Sequence, residues 1–307
     1  MGSKILITPR SYLEIRAEMK ELLEGYQVVF NERGRPLSER EMVELVPDVN
    51  GILVGVDPVT AAVMEAAPKL KAISKYGAGM DNIDLAAAAR RGIKVQNTPG
   101  TNRVAVAELT IGLMFDLSRH ISHAVAAVKR GRWERVMGVE LAGKTLGLIG
   151  CGNIGREVAR RARGLEMNVL VYDPYFSDDG FASRYQLQVT DLVTLLSQAD
   201  YVSLHLPLSA TTAGIIGRNE LAMMKNTACL INTSRGALVK EDDLLWALRT
   251  GVIAGAAMDV FWREPAGEHE LLQLDNFILT PHMGAHTREA VIKTARAATE
   301  NLLAMLA

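Results

Sequence analysis

The sequence predicts an α/β fold of two doubly wound, parallel-sheet domains. Three observations predict it. Short apolar runs alternate with helix-like patterns through both halves of the 307-residue chain. That alternation stops at Asn97-Thr98-Pro99-Gly100 and resumes only after Leu141. A glycine-rich turn, Gly150 to Gly155, sits between an apolar run and a helix pattern.

The elements follow in order. Lys4 to Thr8, Val28 to Phe30, Gly51 to Val56, Lys71 to Ser74 and Ile93 to Gln96 read as strands. Tyr12 to Glu24 is a charged amphipathic stretch, and Thr60 to Ala67 and Leu85 to Arg91 read as helices. Ser38 and Glu41 can cap each other's backbone N–H, a capping box, and Gly92 suits a left-handed helix end. Pro99 biases Thr98 toward extended backbone, so this segment reads as a crossing between domains. One long helix is expected from Asn102 to about Lys129, its half from Val104 to Leu117 apolar on most sides and therefore buried.

Six strands are expected in the second domain: Thr145 to Ile149, Asn168 to Tyr172, Tyr201 to Leu204, Ala228 to Asn232, Ala254 to Asp259 and Phe277 to Thr280. Helix patterns over Asn153 to Leu165 and Asp242 to Arg249 lie between them. The last helix, Thr287 to Leu303, lies beyond the final strand and is expected to return to the first domain.

Composition narrows the function. Hydrophobic residues make up 49% and charged residues 22%, with a net charge of -1. This is ordinary globular composition with no electrostatic case for nucleic acid or an anionic membrane. The two cysteines, Cys151 and Cys229, form no disulfide framework or metal spacing. No basic-then-apolar leader and no apolar run of membrane-spanning length is seen, so a cytoplasmic protein is expected.

The glycine turn carries the first chemistry. Gly150 permits a tight turn, Gly152 lets backbone approach a pyrophosphate, and Gly155 lets helix and strand pack closely. Asn153 and Ile154 open the helix, whose first N–H groups can meet phosphate charge. Asp173 ends the next strand, where a carboxylate accepts both ribose hydroxyls and repels a 2′-phosphate. No basic residue adjoins it in Asp173-Pro174-Tyr175, which favours NAD over NADP. Six strands entered through such a loop make the second domain a Rossmann dinucleotide-binding domain.

Ligands of open parallel sheets sit outside the carboxyl ends of the strands. That rule selects Gly77 to Asp81, Asp173, His205, Thr233 to Gly236, Asp259 and His282. Arg235 can hold a carboxylate bidentately and polarise a carbonyl, although a turn arginine is often only a solvated charge. His282 can transfer a proton near neutral pH, and Glu264 can fix its tautomer. Alone, each would pass for a surface or loop residue; their shared edge of the predicted fold argues otherwise. His282 and His286 have the spacing of two metal ligands, but no third ligand stands out and no metal is expected.

The chain resembles the D-isomer-specific 2-hydroxyacid dehydrogenases, especially the branch with D-3-phosphoglycerate dehydrogenase. The resemblance rests on Lys75 to Asp84, Asn97 to Gly100, Val106 to Leu109, the glycine loop, His205 to Leu208, Asn232 to Gly236, Ala257 to Phe261 and Pro281 to Ala285. It implies a Rossmann domain at 99–285 inserted into a flavodoxin-like substrate domain at 1–98 and 286–307. It implies Arg235, Glu264 and His282 as the catalytic set. The backbone of Tyr76, Gly77, Ala78 and Gly79, with Arg235, would hold the substrate carboxylate. Ala78, Asn153, Ile154, Asp173, Leu206, Thr233, Ser234, Arg235, Asp259, His282, Gly284 and Ala285 match NAD-contacting positions, Asp259 opposite the nicotinamide carboxamide.

The implied reaction is reversible hydride transfer between NAD(H) and a small D-2-hydroxy or 2-keto acid. Lys75 could meet a substrate phosphate, whereas Gly55 stands where some members carry a basic residue. D-3-phosphoglycerate and glyoxylate or hydroxypyruvate are therefore rival substrates. The chain stops at Ala307, so the regulatory serine-binding domain of some relatives is not expected within it. Some relatives are NAD-sensing corepressors, a binding-module alternative. The apolar helix from Val104 and the Trp133 segment suggest a homodimer.

Overall fold

Short apolar runs buried on both faces form the centres of two all-parallel sheets in this computed structural model, which describes residues 2–307. The chain divides into two compact units, Met1–Asn102 with Ala285–Ala307, and Arg103–Gly284.

The first unit runs β1 (Lys4–Ile7), α1 (Arg10–Glu14), β2 (Gln27–Phe30), α2 (Glu39–Leu45), β3 (Gly51–Val54), α3 (Ala61–Glu65), β4 (Ala72–Lys75), α4 (Leu85–Arg90) and β5 (Lys94–Gln96). Its sheet order, β2-β1-β3-β4-β5, is that of flavodoxin-like folds. Central strands β3 and β4 are buried throughout, and edge strands β2 and β5 are not. The Ser38–Glu41 capping box starts α2. The charged amphipathic stretch from Tyr12 to Glu24 is the end of the short α1, a run of turns and a 3-10 turn at Glu21–Leu23. It still buries Tyr12, Ile15 and Met19.

The second unit opens with α5 (Arg103–Arg119) and α6 (Ile121–Lys129). The single long helix expected here is broken at His120, which adopts φ 54°, a left-handed conformation rare for a side chain other than glycine. Then come β6 (Thr145–Ile149), α7 (Asn153–Gly164), β7 (Asn168–Tyr172), α8 (Phe181–Arg184), β8 (Leu187–Val189), α9 (Leu192–Gln198), β9 (Tyr201–Leu204), α10 (Arg218–Met223), β10 (Cys229–Asn232), α11 (Glu241–Arg249), β11 (Gly255–Met258) and β12 (Phe277–Leu279). The order is β12-β11-β10-β9-β6-β7-β8, a Rossmann arrangement with a seventh strand. The strand not expected, β8, is a largely exposed three-residue edge.

The chain then returns to the first unit, where α12 (Arg288–Leu306) packs on β3, β4 and β5. Its Val291, Ala295, Ala298 and Leu302 share a core with Ile5, Ile7 and Tyr12. Gly51 permits that packing, because a Cβ there would lie 2.9 Å from Leu306 Cδ1. No helix among the described residues is long and apolar enough to cross a membrane.

Candidate active site

Strand order explains how distant residues meet in the second unit. β10, β11 and β12 are adjacent and parallel, so the segments leaving their carboxyl ends are neighbours. Arg235 follows β10, Glu264 follows β11 and His282 follows β12.

His282 Nδ1 and Glu264 Oε2 are 2.7 Å apart. Glu264 Oε1 accepts the Phe261 N–H at 2.9 Å, so both carboxylate oxygens are fixed. Burial pushes the Glu264 carboxyl up, but the His282 hydrogen bond and charge, the Phe261 N–H and the Arg235 charge outweigh it. The carboxyl is held below its ordinary range. Arg235 thus lies within electrostatic reach of the pair. His282 has φ 52°, a conformation that costs free energy and so needs support from its surroundings.

Asp259, buried at the end of β11, supplies that support. Its Oδ1 accepts from Thr280 Oγ1 at 2.6 Å and Met283 N at 2.9 Å, and its Oδ2 accepts from Gly284 N at 2.7 Å. A Cβ on Gly284 would sit 2.9 Å from that oxygen, so glycine permits the close approach. The residue expected to meet the nicotinamide is therefore also the clamp on the His282 loop.

His205 is a different kind of histidine. Its Nε2 is 2.9 Å from Ser203 Oγ, and burial pushes the imidazole down to about 3. It is neutral near pH 7 and no proton donor. Cys151 is equally unreactive, since burial pushes its thiol up to about 11.

The glycine loop fits a dinucleotide. Gly150 has φ +96°, and a Cβ on it would lie 2.6 Å from the His205 carbonyl oxygen. A Cβ on Gly155 would lie 2.3 Å from the Gly150 oxygen, whereas nothing stands within 4 Å of one on Gly152. The loop is therefore packed tightly below and open at Gly152. Asn153 begins α7 with no side-chain cap on its first turn, leaving N–H groups for a phosphate. Asp173 Oδ2 accepts the Cys151 N–H at 2.8 Å, tying the end of β7 to this loop. Ile154 and Leu206 pack partly buried on the sheet's cores. Thr233 Oγ1 is 3.1 Å from Thr110 Oγ1, and Ser234 Oγ donates to the Leu204 carbonyl at 2.8 Å.

Ala78, Ala285 and the expected carboxylate loop belong to the first unit. The Tyr76 N–H bonds Val54 O at 2.9 Å and the Gly77 N–H bonds Thr98 Oγ1 at 2.8 Å. Among the described residues, only Ala78 and Gly79 of this loop keep N–H groups without a protein acceptor. The expectation of four donors narrows to two. Lys75, expected to face a substrate phosphate, is 6% exposed and donates to Gly55 O and Asn82 Oδ1. Two of its ammonium N–H groups are thus engaged inside the unit.

Asn232 and Gly236 lie in the segment the sequence singles out at 232–236, but sequence alone assigns neither a role of its own. Asn232 is wholly buried under the Arg235 turn. Gly236 lies so close to the Phe261–Trp262 backbone that a Cβ on it would be 2.4 Å from Phe261 C. The only signal for Asn232 was a polar residue closing an apolar run.

Residues 111–284 match the D-isomer specific 2-hydroxyacid dehydrogenase, NAD binding domain. The chain belongs to the D-isomer-specific 2-hydroxyacid dehydrogenase family. The second unit is thus the family's NAD-binding domain. D-3-phosphoglycerate dehydrogenase of Methanocaldococcus jannaschii is 45% identical over 257 residues, 83% of this chain and 49% of the relative. Hydroxypyruvate reductase of Thermotoga maritima is 43% identical over 260 residues, 83% of this chain and 84% of the relative. A glyoxylate reductase structure from Paecilomyes thermophila has a TM-score of 0.87 at 32% identity, covering 100% of this chain and 96% of that one. The chain spans about half the length of the phosphoglycerate dehydrogenases it matches.

Proposed function

We propose that this family member is an NAD-dependent D-2-hydroxyacid dehydrogenase acting on a small 2-keto acid. The observation that carries the reading is the His282–Glu264 pair at 2.7 Å with Arg235 in electrostatic reach. The Gly150–Gly155 loop, Asn153, Ile154, Asp173, Leu206, Thr233, Ser234, Asp259 and Gly284, with Ala78 and Ala285, are the residues proposed to hold NAD. Bound NADH supplies the hydride that reduces C2 of the keto acid.

With Glu264 on Nδ1, the His282 Nε2 is the atom left to protonate the keto oxygen. Arg235 holds the substrate carboxylate and offsets charge growing on the carbonyl oxygen. The N–H groups of Ala78 and Gly79 are further carboxylate donors. Engagement of Lys75 with Gly55 and Asn82 favours an unphosphorylated acid, such as glyoxylate or hydroxypyruvate, over a phosphorylated one. Loss of NADH absorbance with paired phosphorylated and unphosphorylated 2-keto acids tests this. Turnover is expected with the free acids, and no turnover with any acid overturns the reading.

We further propose a homodimer. Ile121, Val125 and Val128 form an apolar stripe along α6, each 48% exposed. Beside it in sequence, Trp133 is 84% and Met137 92% exposed. Such a patch fits a second copy of the chain. Light scattering should give twice the chain mass at micromolar protein; the monomer mass would refute it. The two buried free thiols suit a reducing compartment, in keeping with the cytoplasmic location proposed.

A further inference from the structure

Asn232 ends β10 and has no exposed surface. A buried carboxamide is costly unless its hydrogen bonds are made. Here they are made to the two residues that shape the Arg235 turn. Asn232 Oδ1 accepts the Ser234 N–H at 3.0 Å, and its Nδ2 donates to the Arg235 carbonyl at 2.8 Å. That carbonyl also accepts the Leu238 N–H at 3.2 Å. The peptide entering Ser234 and the peptide leaving Arg235 are therefore both held by Asn232, and the second also by the turn that follows.

The hold extends to the His282 side of the site. The Asn232 backbone carbonyl accepts the Asp259 N–H at 3.0 Å, and Asp259 clamps the His282 loop. Asn232 and Asp259 are thus joined at the carboxyl ends of adjacent strands, each fixing the backbone of one proposed catalytic segment. An apolar side chain at 232 would satisfy burial equally well. It would leave the Ser234 N–H without this acceptor and the Arg235 carbonyl with one donor fewer.

We propose that Asn232 is a positioning residue for Arg235, setting the direction from which the guanidinium meets the substrate carboxylate. This rests on the reading of Arg235 as the carboxylate- and carbonyl-binding group. Asn232 touches neither substrate nor reacting atoms; it acts through the turn.

The test is a double-mutant cycle on the full chain with N232A, R235A and N232A/R235A, plus N232D as a second probe. N232D keeps the shape and the Oδ1 acceptor but turns an oxygen toward the Arg235 carbonyl. Both Asn232 variants should lose about 100-fold in kcat/KM for the keto acid, the order expected when a reactive group shifts by about 1 Å. NADH affinity, read by fluorescence titration, should fall far less. In the R235A background, N232A should add less than about twofold, because the group it positions is gone. Independent, multiplying losses would overturn the proposal, as would NADH affinity falling as far as kcat/KM in both Asn232 variants. Full activity in R235A would instead remove the assignment of Arg235, and the positioning role with it.

Discussion

Gly236→Ala is a small perturbation with a calculable consequence. The added Cβ would lie 2.4 Å from Phe261 C, 2.6 Å from Phe261 O and 2.6 Å from Trp262 N. All three are backbone atoms, so no side chain can turn aside. Ordinary contact begins near 3.4 Å, so the turn after β10 and the segment after β11 must part by about 1 Å. Arg235 is on the first of these and Glu264 on the second. A shift of about 1 Å in a catalytic group costs about 100-fold in rate. Stability should fall by about 1–3 kcal/mol, the usual cost of overpacking. Steady-state kinetics with the best keto acid should show kcat/KM reduced about 100-fold, while urea denaturation measures the stability loss. NADH affinity should fall less than kcat/KM, because, of the proposed NAD contacts, only Thr233 and Ser234 lie on the shifted turn, while the Gly150–Gly155 loop and Asp173 are built from other elements. Wild-type kcat/KM in Gly236→Ala would refute the idea that this approach aligns the two groups.

Glu264→Gln should depress turnover and also change the acid response. The Glu264 carboxyl is held below its unfolded value of 4.5, so it contributes stability above that pH and loses it as pH falls through its lower folded value. The Tm difference between wild type and variant should therefore narrow as pH drops below about 4.5; a constant difference would contradict the shift. Asp173→Ala should raise the NADPH-to-NADH ratio of kcat/KM by about tenfold or more, through loss of repulsion of a 2′-phosphate. An unchanged ratio would show that Asp173 does not read the ribose.

Much of the architecture was legible because burial writes itself into short apolar runs. β3, β4, β9, β10 and β11 are buried along their whole length, and each coincides with such a run. β8 left no comparable trace, because an exposed edge strand of Leu187–Val189 needs no apolar pattern. The break at His120 was equally silent: no proline or glycine marks the left-handed residue, and the Asp116 side chain that accepts the Ser122 N–H across the break is an ordinary helix-surface residue by sequence.

The amino-acid order alone determined where ligands should gather. Strand ends follow from strand positions, and Arg235, Asp259 and His282 lie at them. Only the folded chain decided what each polar atom spends its hydrogen bonds on. Lys75 turned inward to Gly55 and Asn82, Tyr76 and Gly77 lost their N–H groups to Val54 and Thr98, and Asp259 took hold of the loop at 280–284. The physical reason is range. Periodicity records which side of an element meets water, a local property, whereas a donor's acceptor is chosen by whichever remote segment the topology lays beside it.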